Sequence, residues 1–285
     1  MIYACVVTFN PDLKRLNENL QSLKRQQLLN GIIVVDNDSS NVSDIETLVA
    51  SYECVILKQE QNVGIAKALN IGIEKARNCG AKWVLTCDQD SVLPVNLVQV
   101  FSKYFSLEQC AILCPQIYDE NAETIVENEK INSSVQSIDR CITSGSMTNV
   151  QCWEEIGGFD EFLFIDGVDF DYCSRLKRNG KKIYRVNEVV MRHTIGNMRV
   201  WHWGPFKVLV LNHSPFRKYY ILRNRIYCDF KMYGKLSIRS LLSVLKQVLL
   251  IIFFEKSKAP KLSSALKGIK DGFRYGLKLR KLANE

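Results

Sequence analysis

Over the first 115 residues, short apolar runs alternate with amphipathic stretches, and three of the runs stop at oxygen-bearing side chains. Ile2 to Val7 ends at Thr8-Phe9-Asn10-Pro11, Ile32 to Val35 at Asp36-Asn37-Asp38-Ser39-Ser40, and Trp83-Val84-Leu85-Thr86 at Cys87-Asp88-Gln89-Asp90-Ser91. Between the first two, Leu13, Leu16, Leu20 and Leu23 recur at three- and four-residue steps behind Asp12, a capping residue, which predicts a helix laid over the strands. A second helix is expected over 42–52, a third strand over 55–57 and a further strand over 111–114. Strand and helix taken in turn predict a parallel, Rossmann-like α/β sheet, whose ligands lie at the carboxyl ends of its strands.

Those ends carry the first candidate residues. Asp88 and Asp90, one residue apart outside a helix, repel each other unless a cation sits between them, and a divalent metal carrying phosphate oxygens is the usual partner. Taken alone, Asp-x-Asp reads rather as a solvated turn before the helix that Pro94 begins. Asp36 at a strand end is able to accept a hydrogen bond from the N–H of a uracil or thymine ring, or is a plain turn residue. In Asn62-Val63-Gly64-Ile65-Ala66-Lys67-Ala68-Leu69-Asn70-Ile71-Gly72 the small residues allow close packing on the sheet or on a ligand. Asn62, Lys67 and Asn70 add polar contacts at a helix start, a natural place for an anion. Residues 118–140 read as a polar excursion over the mouth of the site, and 141–146 as a strand in which Gly145 permits close backbone approach or forms a bulge.

A second acidic cluster, Phe164-Ile165-Asp166-Gly167-Val168-Asp169-Phe170-Asp171, precedes a helical stretch. Crowded carboxylates raise one another's pKa, and one so tuned serves as a general base. A final strand at 189–191 delivers Arg192-His193-Thr194.

Charge divides the chain. Residues 1–175 hold 13 Lys and Arg against 25 Asp and Glu, and the remainder 25 against 5. A C-terminal part so basic suits phosphate or an anionic membrane, whereas nucleic acid is disfavoured because neither zinc-finger spacing nor an RNA-binding signature is present. Ten cysteines without a CxxC pair, mostly inside apolar runs, read as buried thiols in a reducing compartment, and three histidines give zinc no support. The N-terminus lacks the pattern of a signal peptide, so a cytoplasmic location is expected.

Thr8-Phe9-Asn10, Asp36 with its turn, Asn62 to Gly72, Asp88-Gln89-Asp90, Gly157-Gly158-Phe159-Asp160-Glu161, Asp169-Phe170-Asp171 and His193 stand in an order that resembles the inverting family 2 glycosyltransferases over about residues 1–200. Phe164 to Cys173 and Pro215 to Asn224 look like the rhamnosyltransferase branch. The resemblance implies a GT-A fold, a dTDP-rhamnose or UDP-sugar donor, and Mg²⁺ or Mn²⁺. It implies that Asp36 reads the pyrimidine, that Thr8, Asn10, Asn62 and Lys67 line the nucleotide-sugar pocket, and that Asp88 holds the ribose side. Asp90 and His193 would bind the metal and Asp169 would be the base. The family commonly has Glu immediately before that Asp; here the position is Val168 and an acid stands at Asp166, which leaves both Asp169 and Asp166 as candidates.

The expected organisation is a catalytic domain over 1–233, with a nucleotide half to about 115 and an acceptor half beyond it, followed by an amphipathic helical tail over 234–285. Leu241 to Phe254 is too short and too polar to span a bilayer. From Pro260, Leu262, Leu266, Ile269, Phe273 and Leu277 share one helical face, expected to lie on an anionic membrane, to pack on the domain, or to join a second subunit. The resulting expectation is a non-processive transferase acting on a lipid-diphosphate-linked saccharide at the cytoplasmic membrane face. Two other readings are a processive synthase, against which the lack of spanning helices argues, and a nucleotide-binding scaffold that has lost the chemistry.

Overall fold

The computed structural model describes residues 1–119, 124–125, 133–193, 199–203 and 206–282. The strand and helix order begins β1 (Ile2–Thr8), α1 (Leu13–Lys24), β2 (Gly31–Asp36), α2 (Val42–Ser51), β3 (Val55–Lys58), α3 (Ile65–Asn78), β4 (Trp83–Asp88) and α4 (Leu97–Ser102). It continues with β5 (Cys110–Asp119), β6 (Thr124–Ile125), β7 (Val135–Ile138), β8 (Ser146–Asn149), α5 (Val150–Glu155), a single 3-10 turn at Glu161–Leu163, α6 (Val168–Arg178) and β9 (Lys182–His193). The hairpin β10 (Arg199–Trp203) and β11 (Phe206–Val210) and three helices, α7 (Pro215–Tyr233), α8 (Ile238–Phe253) and α9 (Lys258–Leu282), complete it.

The main sheet runs β3-β2-β1-β4-β8-β5-β9-β7, with β6 beside β5. Pairing is parallel from β3 through β4 and between β5 and β9. It is antiparallel where β8 sits between β4 and β5, and where β7 meets β9. The alternation read from the sequence thus gives the parallel half, and antiparallel β8 brings the loop before it to the carboxyl end of β4. The expected strand at 141–146 begins only at Ser146. The carbonyls before it accept side-chain hydroxyls, Ser146 Oγ on Ile142 at 2.6 Å and Thr86 Oγ1 on Thr143 at 2.6 Å, where a ladder would need backbone partners. Gly72 explains part of the small-residue run: a Cβ there would lie 2.2 Å from Cys5 Sγ, so α3 packs directly on β1.

By its contacts the chain divides into two compact units, Met1–Phe164 with Val168–Thr194, and Ile165–Gly167 with Ile195–Glu285. The first holds the main sheet. Its core runs from Leu16, Leu20 and Leu23 of α1 through Ala4, Val6, Val34 and Leu85 of the sheet to Leu97 and Phe101 of α4, all buried.

In the second unit α7 starts at Ser214, whose hydroxyl accepts the Arg217 amide, with Pro215 in the first turn, and stops at Gly234 in the left-handed conformation. Helix α9 packs along α7 through buried Ala265, Gly268, Gly272 and Gly276, joined by only part of the apolar face expected from its sequence. A Cβ at Gly268 would meet the Tyr219 carbonyl oxygen at 2.4 Å, so two helix backbones touch and only glycine fits. Leu262 and Ile269 reach the α7 core and Phe273 meets the Phe230 ring edge-on, whereas Leu266 and Leu277 stay exposed. Between the helices Glu255 accepts Lys218 at 2.5 Å and Lys261 at 2.9 Å, with all three side chains buried. No helix among the described residues is long and apolar enough to cross a membrane.

Burial, and next Arg217, lower His213 from 6.5 to about 4. The unfolded imidazole titrates near its ordinary value, so it binds a proton between about 6.5 and 4 that the folded side chain refuses. His213 therefore adds stability that is complete above pH 6.5 and lost as the pH falls toward 4. The thermal midpoint is expected to drop across that window, and His213→Gln to flatten the drop, as followed by circular dichroism melts at several pH values.

Candidate active site

Register fixes the site. Thr8 pairs with Asp36 and Val7 with Asp88, so the carboxyl ends of β1, β2 and β4 lie side by side. Strand order reverses at β1, with β2 and β3 on one flank and β4 on the other, and at such a switch point the loops diverge and leave a crevice.

Side chains tie this edge together. Asp36 is buried, its Oδ1 accepting the Thr8 hydroxyl at 3.0 Å and its Oδ2 the Ser39 amide at 3.0 Å. These bonds fix the orientation of Asp36, and each carboxylate oxygen keeps a second lone pair. Asn10, at φ 47°, accepts the Ser40 amide and hydroxyl at 2.8 and 2.7 Å and donates its own amide to Ser39 Oγ. Asn62 accepts Asn37 Nδ2 and the Gly64 amide, both at 3.0 Å. Lys67 projects from the first turn of α3 and is exposed. That helix start is partly occupied, since the Ile65 amide donates to the Phe164 carbonyl at 2.6 Å.

At the tip of β4 the Asp88 amide donates to Ser144 Oγ at 3.1 Å, and Ser144 Oγ lies 2.6 Å from Ser91 Oγ. Asp90 reaches outward, its side chain 43% exposed and 3.6 Å from the Arg15 guanidinium. Both acids offer oxygen, which suits a hard cation, and a long exposed ion pair is easily exchanged. Among the described residues no three His, Cys, Asp or Glu side chains converge as a complete ligand set. Two carboxylates with water and phosphate oxygens nevertheless satisfy Mg²⁺, so the residues present fit such an ion. His193 ends β9 opposite Asp119, and its side chain lies outside the described residues.

Two acids of the second cluster each have a cationic partner of their own. Asp166, at φ 63°, accepts Arg217 through both oxygens at 2.7 and 3.1 Å, and its strap is held by Asn224 Nδ2 on the Ile165 and Asp166 carbonyls. Asp171 is buried and accepts Arg175 at 2.7 Å, one helical turn on. Asp169, in the first turn of α6, accepts the Phe170 amide at 2.9 Å and lines a recess with Thr86, Thr143 and Tyr172. Thr86 and the 143–146 loop also border the tip of β4. The 143–146 loop thus borders both Asp169, through Thr143, and the tip of β4, where Ser144 meets the Asp88 amide; Asp166 belongs to the other unit.

Several of these residues escaped sequence reasoning. Gln89 accepts the Phe9 amide at 2.8 Å and locks the β1 and β4 loops together; Asn37 and Ser144 act likewise. Only their neighbourhood to Asp36, Asp88 and Gly145 hinted at a role.

A mostly parallel sheet with this switch point and these acids defines a glycosyltransferase of the GT-A type. The chain belongs to glycosyl transferase family 2, whose family model matches residues 3–175. It is 32% identical over 293 residues to the dTDP-rhamnosyl transferase RfbF of Shigella flexneri, covering 96% of this chain and 95% of that one. Among solved structures it resembles residues 1–349 of S. aureus TarS, with a TM-score of 0.60, 15% identity, and coverage of 98% of this chain and 84% of that chain. It also resembles the mannosyltransferase PcManGT of Pyrobaculum calidifontis in complex with GDP-Man and Mn²⁺, with a TM-score of 0.60, 11% identity, and coverage of 99% and 79%.

Proposed function

We propose that the protein is an inverting rhamnosyltransferase that moves L-rhamnose from dTDP-L-rhamnose to a lipid-diphosphate-linked saccharide at the cytoplasmic face of the membrane, in the synthesis of a surface polysaccharide. The observation that carries the chemistry is the pair of acidic groups bordering one loop, Asp88 and Asp90 at the β4 tip and Asp169 across the 143–146 segment. The choice of donor rests on the likeness to RfbF along nearly the whole chain.

In this reading Asp36, fixed by Thr8 and Ser39, accepts the pyrimidine N–H. Asn10, Asn62 and Lys67 border the rest of the nucleotide sugar, and Asp88 takes the ribose side. Asp90, with His193, holds Mg²⁺ or Mn²⁺, which when bound offsets the negative charge of the departing diphosphate. Asp169 accepts the proton of the acceptor hydroxyl as its oxygen attacks the anomeric carbon. The bond from that carbon to the diphosphate oxygen breaks with its electron pair on the oxygen. One displacement inverts the centre, and no covalent enzyme intermediate forms.

Purified protein incubated with dTDP-rhamnose or UDP-sugars and a membrane extract as acceptor should form product from dTDP-rhamnose. Transfer from a UDP-sugar alone would reassign the donor, and nucleotide binding without any turnover would leave a scaffold. Asp90→Ala is expected to lower kcat by about 10²-fold, the scale of one lost charge-stabilising contact, with the melting curve unchanged. Full activity in that variant removes Asp90 from the site.

A further inference from the structure

Helix α8 carries an apolar stripe that the described residues leave exposed. Ile238, Leu241, Leu242, Leu245, Leu249, Ile252 and Phe253 are between 38% and 77% exposed, while Ser240, Val244 and Ile251 of the same helix are buried. At 3.6 residues per turn the seven exposed side chains fall within an arc of about 120°, opposite the buried face. Arg239 and Lys246, both exposed, follow one border of the arc, and Lys256 stands just beyond the helix. Isolated exposed leucines are ordinary, but a continuous stripe edged with cations marks a contact surface.

We infer that this face of α8 is the membrane-docking element of the protein, lying in the plane of an anionic bilayer with its apolar arc in the acyl boundary and Arg239 and Lys246 at the headgroups. Three observations select that occupant. The helix has 16 residues, about 24 Å, which is too short to span a bilayer and suited to lying along its surface. Residues 195–285 carry 19 Lys and Arg against 4 Asp and Glu, so an anionic surface attracts them. A second copy bearing the same excess charge would be repelled from the same face. The face expected from the sequence, that of α9, is partly spent on packing: Leu262 and Ile269 join the α7 core, and Gly268, Gly272 and Gly276 are buried. This inference deepens the membrane part of the proposed function and does not depend on the identity of the sugar.

The test is co-sedimentation of the full chain with vesicles of phosphatidylcholine alone or mixed with an equal part of phosphatidylglycerol. The wild-type protein is expected to bind the anionic vesicles and to lose them at high salt. Leu245→Glu combined with Leu249→Glu should lower partitioning by about tenfold or more, since each places a charge in the acyl boundary. Arg239→Glu with Lys246→Glu, which leaves the apolar arc intact, should lower it several-fold, and Leu266→Glu with Leu277→Glu on α9 should retain most of it. Circular dichroism melts and dTDP-rhamnose binding should be unchanged in each variant. The inference is overturned if the wild-type protein ignores anionic vesicles, if the α8 variants bind as well as wild type, or if the α9 variant loses as much as the leucine variant of α8. A dimer in sedimentation velocity that the α8 leucine variant converts to monomer would assign the face to a second copy. Turnover of dTDP-rhamnose in solution is read separately, so failure of the docking face and failure of the catalytic reading are distinct results.

Discussion

Asp169→Asn is expected to lower kcat for sugar transfer by about 10³-fold, within the range that a positioned general base contributes, while the protein melts as the wild type does. The amide keeps the shape of the side chain and an oxygen to accept the Phe170 amide, so the first turn of α6 persists. What it loses is the ability to take a proton. Asp166→Asn is the matched control, because both Asp166 oxygens are given to Arg217. Weakening that partly buried, two-point pair costs on the order of 1–2 kcal/mol and should leave kcat within several-fold of wild type. Initial rates with dTDP-rhamnose, set beside thermal melts of the two variants, decide the matter. If Asp166→Asn abolishes transfer and Asp169→Asn does not, the base is Asp166 and not Asp169.

Glu255→Ala should be the most damaging single change to the helical unit, lowering its stability by about 3–5 kcal/mol, the cost of leaving buried charge without its counterion. Glu255 bridges two ammonium groups, from Lys218 and Lys261, and its side chain is 1% exposed. Burial already pushes Lys218 below the ordinary lysine value despite the attraction of Glu255. Without the carboxylate each lysine keeps one amide partner, Gln247 at 2.9 Å and Asn212 at 2.7 Å, and neither supplies negative charge. Replacing all three by Met, Leu and Met should recover most of the loss, since the penalty lies in the unpaired charge and not in the missing bridge. Hydrogen exchange of the α7 to α9 amides measures both variants, and protection equal to wild type in Glu255→Ala would contradict the account.

Much of the sheet half was legible because its signals are local. A β-strand buried on both faces shows a continuous apolar run, and Ile2 to Val7, Ile32 to Val35 and Trp83 to Thr86 each became a strand of the parallel half. The resemblance of Asp88-Gln89-Asp90 to the family motif was equally local, and the family itself is shown by the match over residues 3–175. The antiparallel insertion of β8 was not legible, since it depends on which strands accept a partner and nothing in four residues states that choice. The extent of β9 was missed too, because Arg185 and Asn187 interrupt its apolar pattern, yet both find partners within the fold, Gln136 and Gln116 among them.

The acidic cluster at 166–171 and the last two helices show the same limit from the other side. Three nearby carboxylates invite a reading of mutual repulsion. Arg175 lies one turn away from Asp171, but Arg217 reaches Asp166 across 51 residues of chain, and only a folded backbone brings them together. In α9 the hydrophobic pattern pointed to Leu262, Leu266, Ile269, Phe273 and Leu277, of which Leu262 and Ile269 pack on the α7 core and Phe273 meets Phe230; the close approach itself is made by glycines, which carry no hydrophobic signal and matter only when another helix comes within backbone contact. By itself the amino-acid order determined the run of strands and helices, the acids at their ends and the uneven charge, all set by neighbours a few residues apart. The pairing of Asp166 with Arg217, the shared loop beside Asp88 and Asp169, and the faces that α8 and α9 leave bare were decided by tertiary structure alone, because burial and charge pairing depend on distance in space rather than along the chain.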